Sequence, residues 1–550
     1  MADRIVQQPS VMPSQQRFAQ APSAQVERSR FDRSHGHKTT FDAMQLIPVF
    51  ADEVVPGDTF TMDASCFARL ATPLKPIMDN IFLDIHFFFV PYRLVWEHWV
   101  NFMGERDDPE DDPSDYTVPQ ATWTADDQSG TRLWNYFGIA PIGTDSVSYS
   151  VSALPFRAYG LIFNEWYRDQ NLRAKFGVPT DDGPDAGTWE IAPFNRGKRH
   201  DYFTSCLPWP QKGDPVAIGI GGVVPILGIG VSGSSGNSVG VTRTYTQTDG
   251  TTFGSPNDLF WEEGLSFSGS PDQHIGILDG GVIVADNVPN IRADLSDATS
   301  VTINQLREAF QIQKLLERDA RGGTRYIELI LSHFGVKSSD ARLQRPEYLG
   351  GSSTRVNINP VASTVSTEDT PQGNLAAVGS VFGEAGWQKS FEEHGIVIGI
   401  ASARADITYQ QGIERMWSRQ TRYDFYWPAF SHLGEQPVYV KELYYQGSGA
   451  PTINDAVFGY QERYAEYRYK PSIITGIFNS NTTAPLDTWH LGEKFENLPL
   501  LNDEFITTPP PIDRVIAVPS EPHFIADFYF KLTCERPMPV YAVPGMIDHF

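Results

Sequence analysis

The sequence predicts a mainly β protein with a Greek-key sandwich or jelly-roll core. Alternation of apolar and polar residues, typical of half-buried strands, runs through residues 58–70 and 523–545. These stretches lie near opposite ends of the chain, so a sheet that joins them is closed by distant segments, as such topologies require. Gly occurs 46 times and Pro 40 times in 550 residues, which indicates many turns and long loops.

The strands are predicted at residues 41–50, 58–70, 81–90 and 523–545, with turn signals such as VPGD (55–58) between them. The stretch FLDIHFFFVPYRLVWEHW, from Phe82 to Trp99, is too polar for a membrane helix and is interrupted by Pro91. Its alternation predicts a strand with one wholly buried face. That face carries Ile81, Leu83, Ile85, Phe87 and Phe89. After Pro91 the spacing of the apolar residues becomes helical.

Helices are predicted at residues 154–172, 302–323 and 324–335. Pro155 occupies a first-turn position in the first helix. Thr302 and Gln305 have the spacing of a capping box, and Gly322 with Gly323 marks a helix end. The aromatic and leucine stripes on these helices are predicted to be packing surfaces.

Residues 1–40 are rich in Gln, Pro and Ser and predict a flexible arm, followed by the main domain at 41–550. The formal net charge of −24 argues against a general nucleic-acid surface, so that any DNA contact must be local. The arm, however, is modestly basic, and either contacts phosphate or is an ordinary solvated tail. Its candidate DNA-facing residues are Arg4, Arg17, Arg28, Arg30, Arg33 and Lys38.

No catalytic, cofactor or metal site is predicted. GIGVSG (228–233) lacks the helix start that a dinucleotide fingerprint needs, and HGH (35–37) has no third metal ligand nearby. The acidic stretch 105–115 lacks EF-hand spacing and favours a solvated loop, although its ability to hold a divalent ion stays open. Three scattered cysteines predict buried thiols made in a reducing cytosol, and the N-terminal sequence shows no export signal.

Six segments resemble the major capsid proteins of gokushoviruses, small bacteriophages of the microvirus family with circular single-stranded DNA. They are SRFDRSHGHKTTFD (29–42), IPVFADEVVPGDTF (47–60), FFFVPYRLVWEHW (87–99), LPFRAYGLIFNEWYRDQNL (154–172), FGYQERYAEYRYKPS (458–472) and ERPMPVYAVPGMIDH (535–549). The resemblance keeps the order of the segments and covers nearly the whole chain.

The resemblance implies an eight-stranded jelly roll with long loops, of which sixty copies form a T=1 icosahedral shell around the genome. The implied partners are further copies, the single-stranded DNA, internal scaffolding and small DNA-binding viral proteins, and a host cell-surface receptor. The implied location is the virion, assembled in the cytoplasm of the host bacterium. An insertion at about residues 214–292 would form protrusions at the three-fold axes that meet the host.

Two groups of candidate contact residues follow. In the segment 458–472, tyrosines alternate with charged residues, which is typical either of a subunit interface or of a local loop core. The candidate interface residues are Trp96, Tyr460, Tyr464, Tyr467, Arg468 and Tyr469. The uncharged, glycine-rich start of the insertion, residues 216–242, is either an exposed apolar tip or a buried hairpin. Its candidate host-attachment residues are Val224, Ile226, Leu227 and Ile229.

The resemblance thus implies a structural protein of the virion, and the lack of a common catalytic motif disfavours an enzyme. The principal alternative is a secreted β-sandwich that binds or cleaves carbohydrate. Abundant aromatic and carboxylate side chains favour that alternative, and the missing export signal disfavours it.

Overall fold

The computed structural model describes residues 26–105, 108, 112–125, 130–141, 147–214, 216, 226–227, 278–279, 282–283, 292–293, 303–323, 326–335, 344–364, 366 and 372–541. The strands are β1 (Ser29–Asp32), β2 (His35–Phe41), β3 (Ile47–Val54), β4 (Thr59–Leu70), β5 (Ile81–Pro91), β6 (Gln120–Ala125), β7 (Val147–Ser152), β8 (Asp185–Ala186), β9 (Ile226–Leu227), β10 (Leu278–Asp279), β11 (Val282–Ile283), β12 (Arg292–Ala293), β13 (Glu347–Arg355), β14 (Asn357–Ala362), β15 (Leu375–Ser390), β16 (Gly395–Ala405), β17 (Glu435–Tyr439), β18 (Val457–Glu462) and β19 (Phe524–Arg536). The α-helices are α1 (Trp99–Phe102), α2 (Leu133–Tyr136), α3 (Leu154–Ile162), α4 (Ile303–Arg321), α5 (Tyr326–Phe334), α6 (Pro451–Asn454) and α7 (Asp503–Thr507).

The chain divides into two compact units. One comprises Met1–Lys212 with Glu317–Phe550, and the other comprises Gly213–Leu316. In the second unit, the two-residue strands β9 and β12 pair with each other, as do β10 and β11. The first unit contains both large sheets and all the surfaces described below.

A six-stranded sheet joins the two ends of the chain, as the sequence predicts. Its order is β1-β19-β4-β15-β14, and β2 also pairs with β19. Strands β4 and β19 are antiparallel, with Phe528 opposite Cys66. Their core-facing side chains alternate with exposed ones in the predicted pattern.

Part of the range predicted as a flexible arm belongs to this sheet. Residues 29–32 and 35–41 form β1 and β2, and both strands pair with β19. Phe41 explains the pairing of β2, because its ring is buried and stacks on Phe524 at 5.3 Å between centroids. Gln, Pro and Ser dominate the first part of the arm, whereas this pairing depends on aromatic residues at its end.

A four-stranded sheet, in the order β13-β5-β16-β3, packs on the first through one apolar core. The predicted buried face of β5 lies in this core, and its residues Ile81, Leu83, Ile85, Phe87 and Phe89 are all buried. The prediction of one wholly buried face is confirmed, since Phe82 and His86 on the other face are only half-buried. Phe88 and Val90 on the other face are also buried, because they pack in a second cluster with Tyr159 of α3.

The predicted helices are present, with different lengths. The first ends as an α-helix at Ile162 and continues as a π-helical turn, Phe163–Tyr167. Its residues Phe156 and Tyr159 are buried, which confirms a packing stripe on α3. On α4 and α5, by contrast, Phe310 and Phe334 are exposed, so the packing prediction is wrong for these two rings within the chain.

All three cysteines are unpaired and buried, as predicted. Burial raises the pKa of the Cys66 thiol to about 12 and that of Cys534 to about 11. At pH 8 a thiol of pKa 12 is about one part in ten thousand thiolate, the form that reacts with disulfide reagents.

We therefore expect native protein to react with Ellman's reagent at far below the rate of free cysteine. In urea, three thiols per chain are expected to react rapidly. The absorbance of the released thiolate measures both rates. Rapid reaction of even one thiol in the native protein would contradict the burial of all three.

Within the described part of the chain, no helix has the length and apolar character needed to cross a membrane. The same residues contain no group of three or more His, Cys, Asp or Glu side chains placed to hold a metal ion. Only part of the acidic stretch 105–115 is among them.

Candidate assembly surface

An exposed segment rich in aromatic residues lies at residues 415–433, between β16 and β17. It consists of three 3₁₀-helical turns, Arg415–Ser418, Arg422–Asp424 and Pro428–Phe430. The side chain of Trp417 is 74% exposed, the most of any tryptophan among the described residues. The other exposed aromatic residues are Tyr423, Phe425, Tyr426 and Trp427. Large rings in solvent are costly unless a partner covers them.

Local hydrogen bonds fix the shape of this segment. Thr421 and Asp424 form a capping box, with the Thr421 N–H donating to the Asp424 carboxylate at 2.7 Å. Hydrogen bonds from the backbone N–H groups of Thr421 and Gln420 lower the pKa of Asp424. The Trp427 indole N–H donates to the carbonyl oxygen of Arg422 at 2.8 Å. The turn at 421–424 and the ring of Trp427 are therefore held by bonds within the chain.

Arginine side chains lie against several of these rings. The guanidinium of Arg419 is 4.4 Å from the centroid of Tyr467 and 5.4 Å from that of Phe425. It also forms an ion pair with Glu466 at 3.4 Å. Arg422 lies 5.1 Å from the Tyr423 ring and 5.7 Å from the Trp427 ring. Such cation–π contacts stabilise the rings and orient the guanidinium groups.

An ion pair between Arg415 and the buried Glu442 anchors the segment to the rest of the chain. Arg415 donates to the carbonyl oxygen of Pro437 at 2.8 Å and to Glu442 at 3.3 Å. Burial raises the pKa of Glu442 despite that pairing. The phenol of Tyr202 donates a further hydrogen bond to Glu442 at 3.1 Å.

The tyrosine-rich segment predicted as a subunit contact packs directly against residues 415–433. Tyr464 is buried and donates its hydroxyl hydrogen bond to the carbonyl oxygen of Phe425 at 3.2 Å. Tyr467 is exposed, and its hydroxyl accepts a bond from the backbone N–H of Tyr426 at 3.3 Å. Tyr469 is also exposed, and Arg468 forms an ion pair with Glu462. We call residues 415–433 and 464–469 together the aromatic–arginine surface.

Two predicted interface residues, Tyr464 and Trp96, are buried within the chain and therefore cannot contact a neighbouring copy. Tyr464 is the anchor just described, so for this residue the local-core interpretation is the correct one. Trp96 is 0% exposed, packs on Phe102, and donates its indole N–H to Asp182 at 2.7 Å. Tyr460 is half-buried. Within the predicted set, only Tyr467, Arg468 and Tyr469 remain well exposed.

The segment 415–433, which holds most of the exposed rings of the aromatic–arginine surface, is not predicted from the sequence. It has neither strand nor helix periodicity, so it gave no structural signal. Its composition was the available clue: RYDFYWPAF (422–430) contains five aromatic residues in nine positions beside an arginine.

The candidate DNA-facing cations are only partly available. Arg33 forms an ion pair with Asp52 at 2.6 Å, and Lys38 lies 3.6 Å from Asp527. Arg28 and Arg30 are exposed, and Arg28 also donates to Thr59 at 3.3 Å. Arg4 and Arg17 lie outside the described residues. Among the described cations of the arm, Arg28 and Arg30 are therefore available to phosphate, and so is Lys38, whose side chain is 80% exposed.

Of the candidate host-attachment residues, Ile226 and Leu227 form β9 and pair with Ala293 and Arg292 of β12. Val224 and Ile229 lie outside the described residues.

Comparison with known proteins identifies the group to which such a chain belongs. The family model described as "Capsid protein (F protein)" matches residues 19–546. The "Capsid protein VP1" of Bdellovibrio phage phiMH2K is 47% identical over 98% of this chain and 99% of its own. That of Chlamydia phage 1 is 44% identical over 98% of both chains, and that of Spiroplasma virus 4 is 35% identical over 96% of this chain and 97% of its own. The chain therefore belongs to the capsid protein (F protein) family of the gokushovirus-type microviruses, as the resemblance predicts.

Proposed function

We propose that the chain is the major capsid protein of a phage and self-assembles, in sixty copies, into a T=1 shell around a circular single-stranded DNA genome. Membership of the capsid family supports assembly into a multimeric shell and a location in the virion. The aromatic–arginine surface is the observation that carries the assembly step. Trp, Tyr and Arg dominate the binding energy of protein interfaces, and several of the rings here already contact hydrogen-bond partners or guanidinium groups of their own chain.

The order of the strands supports a jelly roll. In chain order β2, β3, β4, β5, β13, β15, β16 and β19 supply eight strands, with β1 and β14 as additions to one sheet. The chain passes from one sheet to the other at every connection except that between β5 and β13. Each sheet then has the order β2-β19-β4-β15 or β3-β16-β5-β13, and every pairing is antiparallel. This alternation is what a sandwich of two Greek keys requires.

A second copy is a better partner for the aromatic–arginine surface than DNA. Arg415, Arg419 and Arg468 are each paired with a glutamate of their own chain, which leaves little positive charge for phosphate. The rings beside them offer area to a neighbouring copy. Because a closed shell is symmetric, the same contact recurs at every equivalent interface between copies.

The following roles are also part of the proposal, because the resemblance to gokushovirus capsid proteins implies them. The shell forms in the host bacterial cytoplasm with internal scaffolding and small DNA-binding viral proteins, and catalyses no reaction. Residues 214–292 form the three-fold protrusion and contact a host receptor, with Val224, Ile226, Leu227 and Ile229 at its apolar start. Family membership favours this function over the carbohydrate-binding alternative.

Substitution of the exposed rings tests the assembly role. Trp417→Ser and Tyr423→Ser are each expected to raise the protein concentration needed for particle formation by roughly 30-fold, from about 2 kcal/mol per hot-spot residue. Electron microscopy and sedimentation of the purified chain, with its scaffolding partner, measure the yield of uniform particles. The control Tyr445→Ser removes an exposed ring outside this surface and is expected to leave the yield unchanged.

Equal particle yields for Trp417→Ser, Tyr423→Ser and the unmodified chain would exclude this surface as a major contact. Persistent monomers of the unmodified chain under conditions that package DNA would overturn the proposed function as a whole.

A further inference from the structure

The outward face of the six-stranded sheet carries three exposed aromatic rings on three adjacent strands. Phe67 of β4 lies opposite Phe382 of β15, and Tyr529 of β19 is opposite Ser65, two residues along β4 from Phe67. Their exposed fractions are 49%, 60% and 52%. In an antiparallel sheet, directly opposed side chains are about 5 Å apart and diagonal ones about 7 Å, so the three rings form one continuous patch.

The faces of these rings are bare. No ring stacking or cation–π contact to Phe67, Phe382 or Tyr529 occurs among the described residues, in contrast to the aromatic–arginine surface, where guanidinium groups cover the rings. Some positions beside them are small, namely Ser65, Ser380 and Gly36, whereas Asp527 lies opposite Phe67 and Glu384 follows Phe382 on the same face. The small positions leave room for a planar group on the rings next to them.

Positive charge lies at one edge of the patch. A hollow of about 510 Å³ beside Phe67 is lined by Lys38, Arg69, Asn135 and Tyr136, with Asp527 as its acidic residue. Arg69 is flanked across the strands by Ile525 and Ser380, so its immediate row carries no carboxylate. On a chain of net charge −24, a hollow with two cations and one acid is a local exception.

We propose that this sheet face, centred on Phe67, Phe382 and Tyr529, binds single-stranded DNA by stacking bases on the rings, with the phosphates over Arg69 and Lys38. Exposed sheet aromatics that stack successive bases, beside a cationic track, are a known means of binding single strands without sequence preference. The inference rests on the proposed function, since it makes this face the inner, genome-facing side of the shell. It assigns DNA binding to the sheet in addition to the arm.

Binding of a 20-residue oligo(dT) to the dissociated full-length chain tests the proposal without needing assembly. Phe67→Thr, Phe382→Thr and Tyr529→Thr are each expected to weaken binding roughly tenfold, because each removes one stacking platform. The control Tyr445→Thr is expected to have no effect. At most three cations are involved, namely Lys38, Arg69 and Lys531, which lies two residues after Tyr529 on the same face of β19. The logarithm of affinity should therefore fall with the logarithm of salt concentration with a slope no steeper than about −2.

Ultraviolet cross-linking of unmodified, DNA-filled particles gives a second measurement that does not depend on variants. We expect cross-linked peptides from β4, β15 and β19. Peptides only from other regions, or unchanged oligo(dT) binding by all three variants, would overturn the inference while the capsid function stands. If the variants bind oligo(dT) normally and fail to form particles, the face contacts protein instead. Failure of the unmodified chain to form particles would count against the capsid function only.

Discussion

Asp185→Asn is expected to lower the free energy of unfolding by about 3–5 kcal/mol, because it leaves the buried charge of Arg157 with the exposed carboxylate of Asp181, 3.4 Å away, as its remaining ion pair. Arg157 is 0% exposed and makes two bonds to the Asp185 carboxylate, at 3.0 and 2.7 Å. Asp185 also accepts a bond from the Trp189 indole at 2.9 Å. Urea denaturation of the dissociated subunit measures the loss.

The partly exposed ion pair Arg93–Glu393, at 2.6 Å, provides a matched control. Glu393→Gln is expected to cost no more than about 1 kcal/mol, because water screens that pair. The double variant Arg157→Met with Asp185→Leu should recover part of the loss, since no charge then stays buried. Recovery is incomplete, because the carbonyl oxygen of Val95 also loses the Arg157 donor. Equal losses for Asp185→Asn and Glu393→Gln would show that burial adds nothing to this interaction.

This ion pair also illustrates what the sequence does not predict. Arg157 lies on α3, and its position among apolar residues marks it only as a charged residue on a packing stripe. Its partner Asp185 is 28 residues away in a loop-rich stretch without periodicity. The strands, by contrast, were predictable, because β4 and β19 each bury one face and therefore alternate strictly along the chain. The burial of Phe88 and Val90 on the other face of β5 could not be predicted, because it depends on α3, which packs on that side of the sheet.

The candidate surfaces were predictable to a similar extent. The tyrosine-rich segment 458–472 was recognised from composition, yet its division into a buried Tyr464 and an exposed Tyr467 depends on residues 415–433, which pack against it. The exposed rings of the six-stranded sheet give another example. Phe67 and Phe382 are each ordinary members of an alternating strand, and only the register of β4 with β15 places them side by side. Pairing between segments about 300 residues apart is not encoded in local periodicity.

Phe87→Ala is expected to lower the free energy of unfolding by about 3–5 kcal/mol, through lost burial and the cavity left between the sheets. The ring of Phe87 on β5 is fully buried, 5.9 Å from the Trp387 ring of β15 and 6.4 Å from the Phe530 ring of β19. The ring of Phe87 therefore packs between the four-stranded sheet and the six-stranded sheet. Urea denaturation of dissociated subunits is again the measurement.

Phe382→Ala is the matched control, because it removes the same ring from the exposed face of β15, and we expect it to cost about 0.5 kcal/mol or less. Assembly should leave the difference between Phe87→Ala and the unmodified chain unchanged, because a shell that binds only folded subunits stabilises both chains by the same amount through mass action. A loss for Phe87→Ala no larger than that for Phe382→Ala would mean that the two sheets do not depend on this contact. Equal losses in dissociated subunits and in assembled particles would instead identify Phe87 as a residue of the subunit core, distinct from the surfaces that join the copies.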